Sequence, residues 1–300
     1  MFKGKIKTWL RAVRPFSFTG SLIPVTLGAI LSIKQNRFEL QYFILSVVAI
    51  VLLQASINLL SDHDDYENKV DTKGSYGSSG VILENLLSSK QVHEGGIFCL
   101  LVGSLIGFFL SYEKGTLILI LGLIGGLGGY SYTGKPLSLK YKGLGAPLVF
   151  LLFGPLMVIG SYYVQMQRVD MVAFYVSIPV GLLTTAIVHA NDIRDILHDQ
   201  KAGIKTLSIL VGINNSKKIY YVMLLLSYIS IIVMVLYRVI PSWSLLCLVT
   251  LPTAYTNAKT LYISETLNAG LITLDKSTAK LQAQFGIILI ISMAMSILLV

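Results

Sequence analysis

Eight of the fifteen acidic residues in this 300-residue chain fall in two short windows. The first holds Asp62, Asp64, Asp65, Glu67 and Asp71; the second holds Asp192, Asp195 and Asp199. In each window an asparagine stands four residues ahead of an aspartate, Asn58 before Asp62 and Asn191 before Asp195. Residues at i and i+4 share a helix face, so Asn58, Asp62 and Asp65 make one polar stripe and Asn191, Asp195 and Asp199 another. Carboxylates gathered in this way need cations. Magnesium suits them, because it takes oxygen ligands, keeps waters and is usually held by one or two carboxylates together with substrate phosphates. Basic residues lie close by in sequence: Lys69 and Lys73 beside the first window, Arg194, Lys201 and Lys205 around the second, and Lys135, Lys140 and Lys142 between them. Aspartate, Mg2+ and Lys or Arg together describe a diphosphate site, with the apolar remainder of the substrate lying among helices.

The elements that must carry these residues are membrane spans. The chain is 54% hydrophobic and 13% charged, against about 25% charged in soluble proteins, which excludes an ordinary water-soluble fold. A hydrocarbon core takes about 20 apolar residues in a helix to cross. Nine stretches are candidates, near 16–33, 40–60, 97–112, 116–132, 146–164, 171–190, 219–237, 242–255 and 285–300. The expected fold is an all-α, multi-pass bundle forming one domain over residues 1–300. Each acidic window follows directly from a span, the second and the sixth, which hints at a four-span pseudo-repeat. The basic start followed by an apolar run is read as a retained first span and not as a cleaved leader. With the N-terminus in the cytoplasm, the loops on that side carry nineteen of the 24 Lys and Arg, and only Lys34, Arg37, Lys114, Arg168 and Arg238 fall outside. This satisfies the positive-inside rule and accounts for the net charge of +9 without nucleic acid as a partner. Cys99 and Cys247, both within apolar runs, are expected to pack and not to pair.

Other readings of the acids stand beside this one. A single acidic run is commonly a solvated helix cap, but here the polar residues begin inside the spans, where ionisable groups point to a function. A cation transporter is a second reading, opposed by acids at span ends and not at the midplane. A membrane scaffold or lipid-binding protein is a third. His63, His189 and His198 lack a zinc spacing and read as structural. Gly122, Gly125, Gly126, Gly128 and Gly129 read as a close helix contact. Tyr130, Tyr132 and Tyr141 read as interfacial anchors, or as aromatic faces for a cation.

Taken together, these segments resemble the UbiA-type intramembrane prenyltransferase superfamily, and within it the 1,4-dihydroxy-2-naphthoate prenyltransferases of menaquinone synthesis. The resemblance rests on Arg14-Pro15, on NLLSDHDDYENKVDT over 58–72, on GSSGVILENLLSSKQV over 77–92, on YTGKPLSLKYKGLGAPLVFLLFG over 132–154, on NDIRDILHDQKAGIKTL over 191–207 and on TAKLQAQFG over 278–286. It implies about nine transmembrane helices around a central cavity under a cytoplasmic cap, with Mg2+ clasping a polyprenyl diphosphate. By position it implies Asp62, Asp65, Asp195 and Asp199 as metal ligands, assisted by Asn58 and Asn191. Lys135, Arg194, Lys201 and Lys205 are expected to neutralise the diphosphate, Tyr132 and Tyr141 to face the allylic cation or place the acceptor, and Arg14 to meet an acidic acceptor. Ser61, Asp64 and Asp192 depart from the usual pattern. Lys69 stands where 4-hydroxybenzoate relatives carry a final Asp, which favours the naphthoate branch over the benzoate alternative. A bacterial cytoplasmic membrane is the expected location.

Overall fold

The apolar stretches fold as helices whose ends are set by identifiable side chains. The computed structural model describes residues 2–33, 35–72, 77–264 and 269–298, and no strand occurs among them. A short amphipathic helix, α1 (Phe2–Ala12), leads into a 3-10 turn, Pro15–Phe18, and then α2 (Thr19–Ile33). Helix α3 (Leu40–Glu67) is 28 residues long and runs two turns past its apolar span, so the first acidic window is helical from Asp62 to Glu67, with Asp71 beyond the helix end. It stops at Asn68, after which Lys69 takes a left-handed φ of 57°. Helix α4 (Ser89–Lys114) begins at a capping box in which Ser88 accepts from the Gln91 N–H and the Gln91 side chain accepts from the Ser88 N–H, satisfying two otherwise orphaned donors. The short α5 (Thr116–Tyr130) follows.

Helices α6 (Gly145–Leu151) and α7 (Met157–Met166) are one rod joined by a π-turn at Leu152–Leu156. Pro155 sits in that turn, where its missing N–H fits the widened pitch. Asp170 caps α8 (Met171–Arg194) by accepting from the Val172 N–H at 2.8 Å. The remainder is α9 (Ile196–Lys201), α10 (Leu207–Val211), α11 (Ile213–Leu236), a 3-10 run Ser242–Thr250 continuing into α12 (Leu251–Ile263), α13 (Ala269–Ile272) and α14 (Leu274–Leu298).

Among the described residues seven helices are long and apolar enough to cross a membrane, not nine. The fourth expected span, α5, has 15 residues and reaches only about 22 Å at 1.5 Å per residue. The eighth is broken into its 3-10 and α-helical parts. Helix α3 packs on α4, α2 on α7, and α8 on both α11 and α14. The largest core cluster lies in that second group, with Tyr162, Leu183, Ile193, Tyr220, Ile231, Leu281 and Phe285 all buried. A separate cluster beneath the 77–88 segment joins Ala12, Leu59, Val81, Ile82 and Val92, with Trp9 and Val13 against it.

Two crossings are backbone contacts. A Cβ on Gly181 would lie 2.9 Å from the Gly154 Cα, so the π-turn rests on α8 without intervening side chains. A Cβ on Gly28 would meet the Val158 carbonyl and sit 2.8 Å from the Ser161 Cβ. Gly28→Ala should therefore destabilise the protein by about 1–3 kcal/mol, as overpacking does, visible as a lowered thermal midpoint in detergent.

Candidate active site

The face of α3 predicted from spacing is present, and its residues have different partners. Asn58 donates to the Val13 carbonyl at 2.8 Å and to the Ser17 hydroxyl at 2.9 Å, and accepts from Gln54 at 3.2 Å. These bonds tie α3 to the chain entering the first span. Asp62 is 2% exposed, is ion-paired with Arg14, and accepts the Ser79 N–H at 3.2 Å. Arg14 holds a left-handed φ of 53° just before Pro15, a conformation uncommon for a side-chain-bearing residue, and this turn aims its guanidinium at Asp62. Burial pulls the Arg14 pKa down, against the opposing influence of Asp71 and Asp65.

Asp65 is met from the loop between α5 and α6. Lys140 Nζ lies 2.8 Å from one carboxylate oxygen and the Tyr141 hydroxyl donates to the other at 2.5 Å. The loop folds on itself through Leu139 N–H to Ser131 O and Lys140 N–H to Tyr132 O, both 2.8 Å, and Ser138 supplies a φ of 44° at its bend. That geometry turns Lys140 and Tyr141 toward α3 and leaves Lys135 exposed. Burial lowers the proton affinity of Lys140, but Asp65 and the neighbouring phenols outweigh it and the ammonium pKa ends well above its ordinary value. Burial raises the pKa of both Tyr132 and Tyr141.

The second window crosses a boundary between two helices, with the Asp195 N–H still donating to the Asn191 carbonyl at 2.9 Å. Helix α8 ends at Arg194, Asp195 is a hinge residue at φ −92°, and α9 begins at Ile196. Asp199 still hydrogen-bonds back one turn to the Asp195 carbonyl. Arg194 grips Asp195 with two bonds of 2.8 and 2.7 Å and Asp275 of α14 with a third of 2.7 Å. Arg194, expected to meet diphosphate, is thus committed to carboxylates and 2% exposed. Asp192 and Asp199 are buried, and the charge of Lys140 acts electrostatically on both. Burial, with Asp195 and Asp65 adding to it against Lys140, pushes the Asp199 carboxyl up to about 7. Lys201 and Lys205 are exposed, the backbone N–H of Lys205 donating to the Tyr141 carbonyl at 3.1 Å. Lys73 lies outside the described residues. His63 bonds Ser89 and His189 bonds the Ser216 carbonyl, in keeping with structural roles.

Beside the acids opens a cavity of about 450 Å3 lined by α3, α4, α5 and the π-turned rod. Its polar mouth is Asp64, Ser61 and Thr133, with the Thr133 hydroxyl donating to Asp64 at 3.0 Å. From Ser61 the lining descends α3 to Ser46, about 22 Å along the axis. The glycines of α5, expected to pack, divide. A Cβ on Gly128 or Gly125 would meet Leu152 or Leu156, whereas one on Gly122 or Gly126 would meet nothing within 4 Å. The missing side chains are cavity.

Among the described residues no three His, Cys, Asp or Glu side chains converge to hold a metal by themselves. The donor set nevertheless suits a cation completed by substrate oxygens and water. Asp65 binds the Lys140 ammonium, whose charge also acts on Asp192 and Asp199, and the buried Asn191 Oδ1 has no hydrogen-bond partner.

Residues 21–270 match the UbiA prenyltransferase family. The chain belongs to that family. It is a prenyltransferase and a multi-pass membrane protein. It is 27% identical over 283 residues to the 1,4-dihydroxy-2-naphthoate octaprenyltransferase of Bacillus subtilis strain 168, covering 94% of this chain and 91% of that one. It is 30% identical over 290 residues to the human UbiA prenyltransferase domain-containing protein 1, covering 95% and 83%. Among solved structures, the apo UbiA homolog from Aeropyrum pernix K1 superposes with a TM-score of 0.71 at 15% identity, covering 92% of this chain and 98% of that one. The Archaeoglobus fulgidus UbiA homolog bound to GPP and Mg2+ gives 0.65 at 19%, covering 94% and 99%. These two show that the UbiA fold is shared.

Lys140 was visible as one of three loop lysines, but nothing in their spacing singles it out; the Ser138 bend does. The Arg194 cluster carries a consequence for stability. Removing the guanidinium leaves two carboxylates without their cation, so Arg194→Met should cost about 3–5 kcal/mol, read as a fall in thermal midpoint in metal-free detergent.

Proposed function

We propose that the protein transfers a polyprenyl group from its diphosphate to 1,4-dihydroxy-2-naphthoate, with loss of the acceptor carboxylate, giving demethylmenaquinone. The observation that carries this reading is the juxtaposition on α3 of a deep apolar cleft with a carboxylate cluster at its mouth, Asp62 and Asp65 above and Asp64 facing the cavity. A prenyl tail suits the cleft and a diphosphate suits the mouth. The naphthoate acceptor is favoured by similarity to the Bacillus subtilis enzyme across most of both chains.

In this reading Asp62, Asp65, Asp195 and Asp199 would hold Mg2+, with Asn58 and Asn191 orienting them. Bound there, the metal supplies positive charge that stabilises the departing diphosphate. The exposed Lys135, Lys201 and Lys205 draw the anionic head to the rim, and Lys140 faces it from within the cluster. When the allylic C–O bond breaks, its electron pair leaves with the diphosphate. The faces of Tyr132 and Tyr141 then border the cation, and preorganised charge of this kind supplies much of catalysis. The acceptor carbon attacks, forming the new carbon–carbon bond as its carboxylate is lost. Arg14, although bound to Asp62 in the structure, is the cation nearest the start of the first span and would meet the acceptor carboxylate on exchange. The excess of Lys and Arg in the loops assigned to one side supports a cytoplasmic N-terminus, and a bacterial cytoplasmic membrane is the location that goes with this reading.

Turnover by the purified protein in lipid, with Mg2+, a panel of prenyl diphosphates and each acceptor offered separately, tests the reading by product mass. A prenylated, decarboxylated naphthoate is expected; product from 4-hydroxybenzoate alone would overturn the acceptor. Asp62→Asn and Asp195→Asn should each lower turnover at least 100-fold, about 2.7 kcal/mol, while the protein remains membrane-inserted, and chelation by EDTA should do the same reversibly. Gly126→Phe fills open cleft, so kcat/KM for the longest prenyl diphosphate accepted should fall about tenfold, some 1.4 kcal/mol, with the shortest little affected.

A further inference from the structure

Helix α1 is an element the reaction does not use. It ends at Ala12, three residues before the first span begins at Pro15, so it lies at the membrane boundary on the same end of the bundle as the carboxylates. It contains no acid, and Lys5, Lys7 and Arg11 are exposed. Its apolar arc is put to two uses. Trp9, with Ala12 and the following Val13, turns inward onto Leu59, Val81 and Ile82. Ile6 and Leu10, one turn apart, are left 51% and 54% exposed. An uncovered apolar ridge beside lysines is the composition of a helix lying in a bilayer interface over anionic headgroups.

Arg11 links that helix to the site. Its Nε donates to the Ser79 carbonyl at 2.7 Å, and its two terminal nitrogens clasp Glu84, one at 2.7 Å. Ser79 in turn gives its N–H to Asp62. Gly80, at φ 78°, leaves room that a Cβ would take from Arg11 Nη2. We propose that α1 docks on the anionic headgroup surface of the bilayer and thereby holds the 77–88 segment in place over Asp62, making prenyl transfer responsive to lipid charge. The partner is a lipid surface because α1 continues directly into a membrane span and its charge is complementary to anionic headgroups.

The test uses the full chain in nanodiscs of zwitterionic phosphatidylcholine, or of the same lipid with phosphatidylglycerol. Leu10→Cys, in a Cys99→Ala/Cys247→Ala background, carries a polarity-sensitive fluorophore read with headgroup-spin-labelled lipid as quencher. Blue-shifted, quenched emission is expected in anionic discs, reverting toward the aqueous signal in Lys5→Glu/Lys7→Glu. An aqueous, unquenched probe in anionic discs, or a blue shift arising only in discs that hold two copies, would overturn the docking. Unlabelled wild-type protein should turn over several-fold faster in anionic discs, and Glu84→Gln should keep the docked probe signal yet lose the lipid response. Wild-type turnover independent of lipid charge would overturn the coupling. The probe needs no turnover, so failure of docking is distinct from failure of the proposed reaction.

Discussion

Carboxylates held at the edge of a membrane must be accompanied by cations, and much of the architecture around the site answers that requirement. A buried ion without a partner is far costlier than a paired one. Three resident cations meet the need, each from a different part of the chain: Arg14 at the entry to the first span for Asp62, Lys140 from the α5–α6 loop for Asp65, and Arg194 for Asp195 and Asp275. The pairs therefore also join elements far apart in sequence, α3 to both the N-terminal segment and the α5–α6 loop, and α8 to α14. Lys140 has a special place among them, because it faces acids from both windows. It occupies with one charge a position that a doubly charged ion and its phosphate ligands would share.

The same helix that carries the acids also forms the wall of the cleft. Helix α3 presents Asp62 and Asp65 to loops above it and Asp64 to the cavity, because successive residues on a helix point about 100° apart. The carboxylate cluster and the apolar cleft are thereby built on a single helix, which keeps their separation constant. Part of the opposite wall is made by omission: among the glycines of α5 some touch neighbours and others face open space, so one residue type serves packing and void.

What could be read in advance followed from local periodicity. The i, i+4 spacing of Asn58 and Asp62 placed both on one face, and that face exists because α3 stays helical through Glu67. The same spacing for Asn191, Asp195 and Asp199 is carried by two i, i+4 backbone bonds, although the helix assignment changes at Asp195; what spacing could not foresee is that Arg194 pairs with Asp195 and Asp275. Spacing also could not choose Lys140 over Lys135, a choice made by the Ser138 bend and the backbone bonds from the Leu139 and Lys140 N–H groups to the Ser131 and Tyr132 carbonyls. Hydropathy found the apolar segments but could not foresee that α5 would have only 15 residues or that the eighth would begin as a 3-10 helix, because composition does not fix where a helix ends or how tightly it winds.

The contact between Gly154 and Gly181 divides the molecule mechanically. Two backbones touching without side chains leave no soft layer to compress, and the largest core cluster lies on that side, around α8, α11 and α14. The cleft lies on the opposite side, walled by a 15-residue helix that falls short of the bilayer and has empty space along one edge. The bundle thus has an anvil and a leaf spring. Yielding in such a bundle is concentrated at α5, while the carboxylate-bearing ends of α3 and α8 are tied by ion pairs to their neighbours.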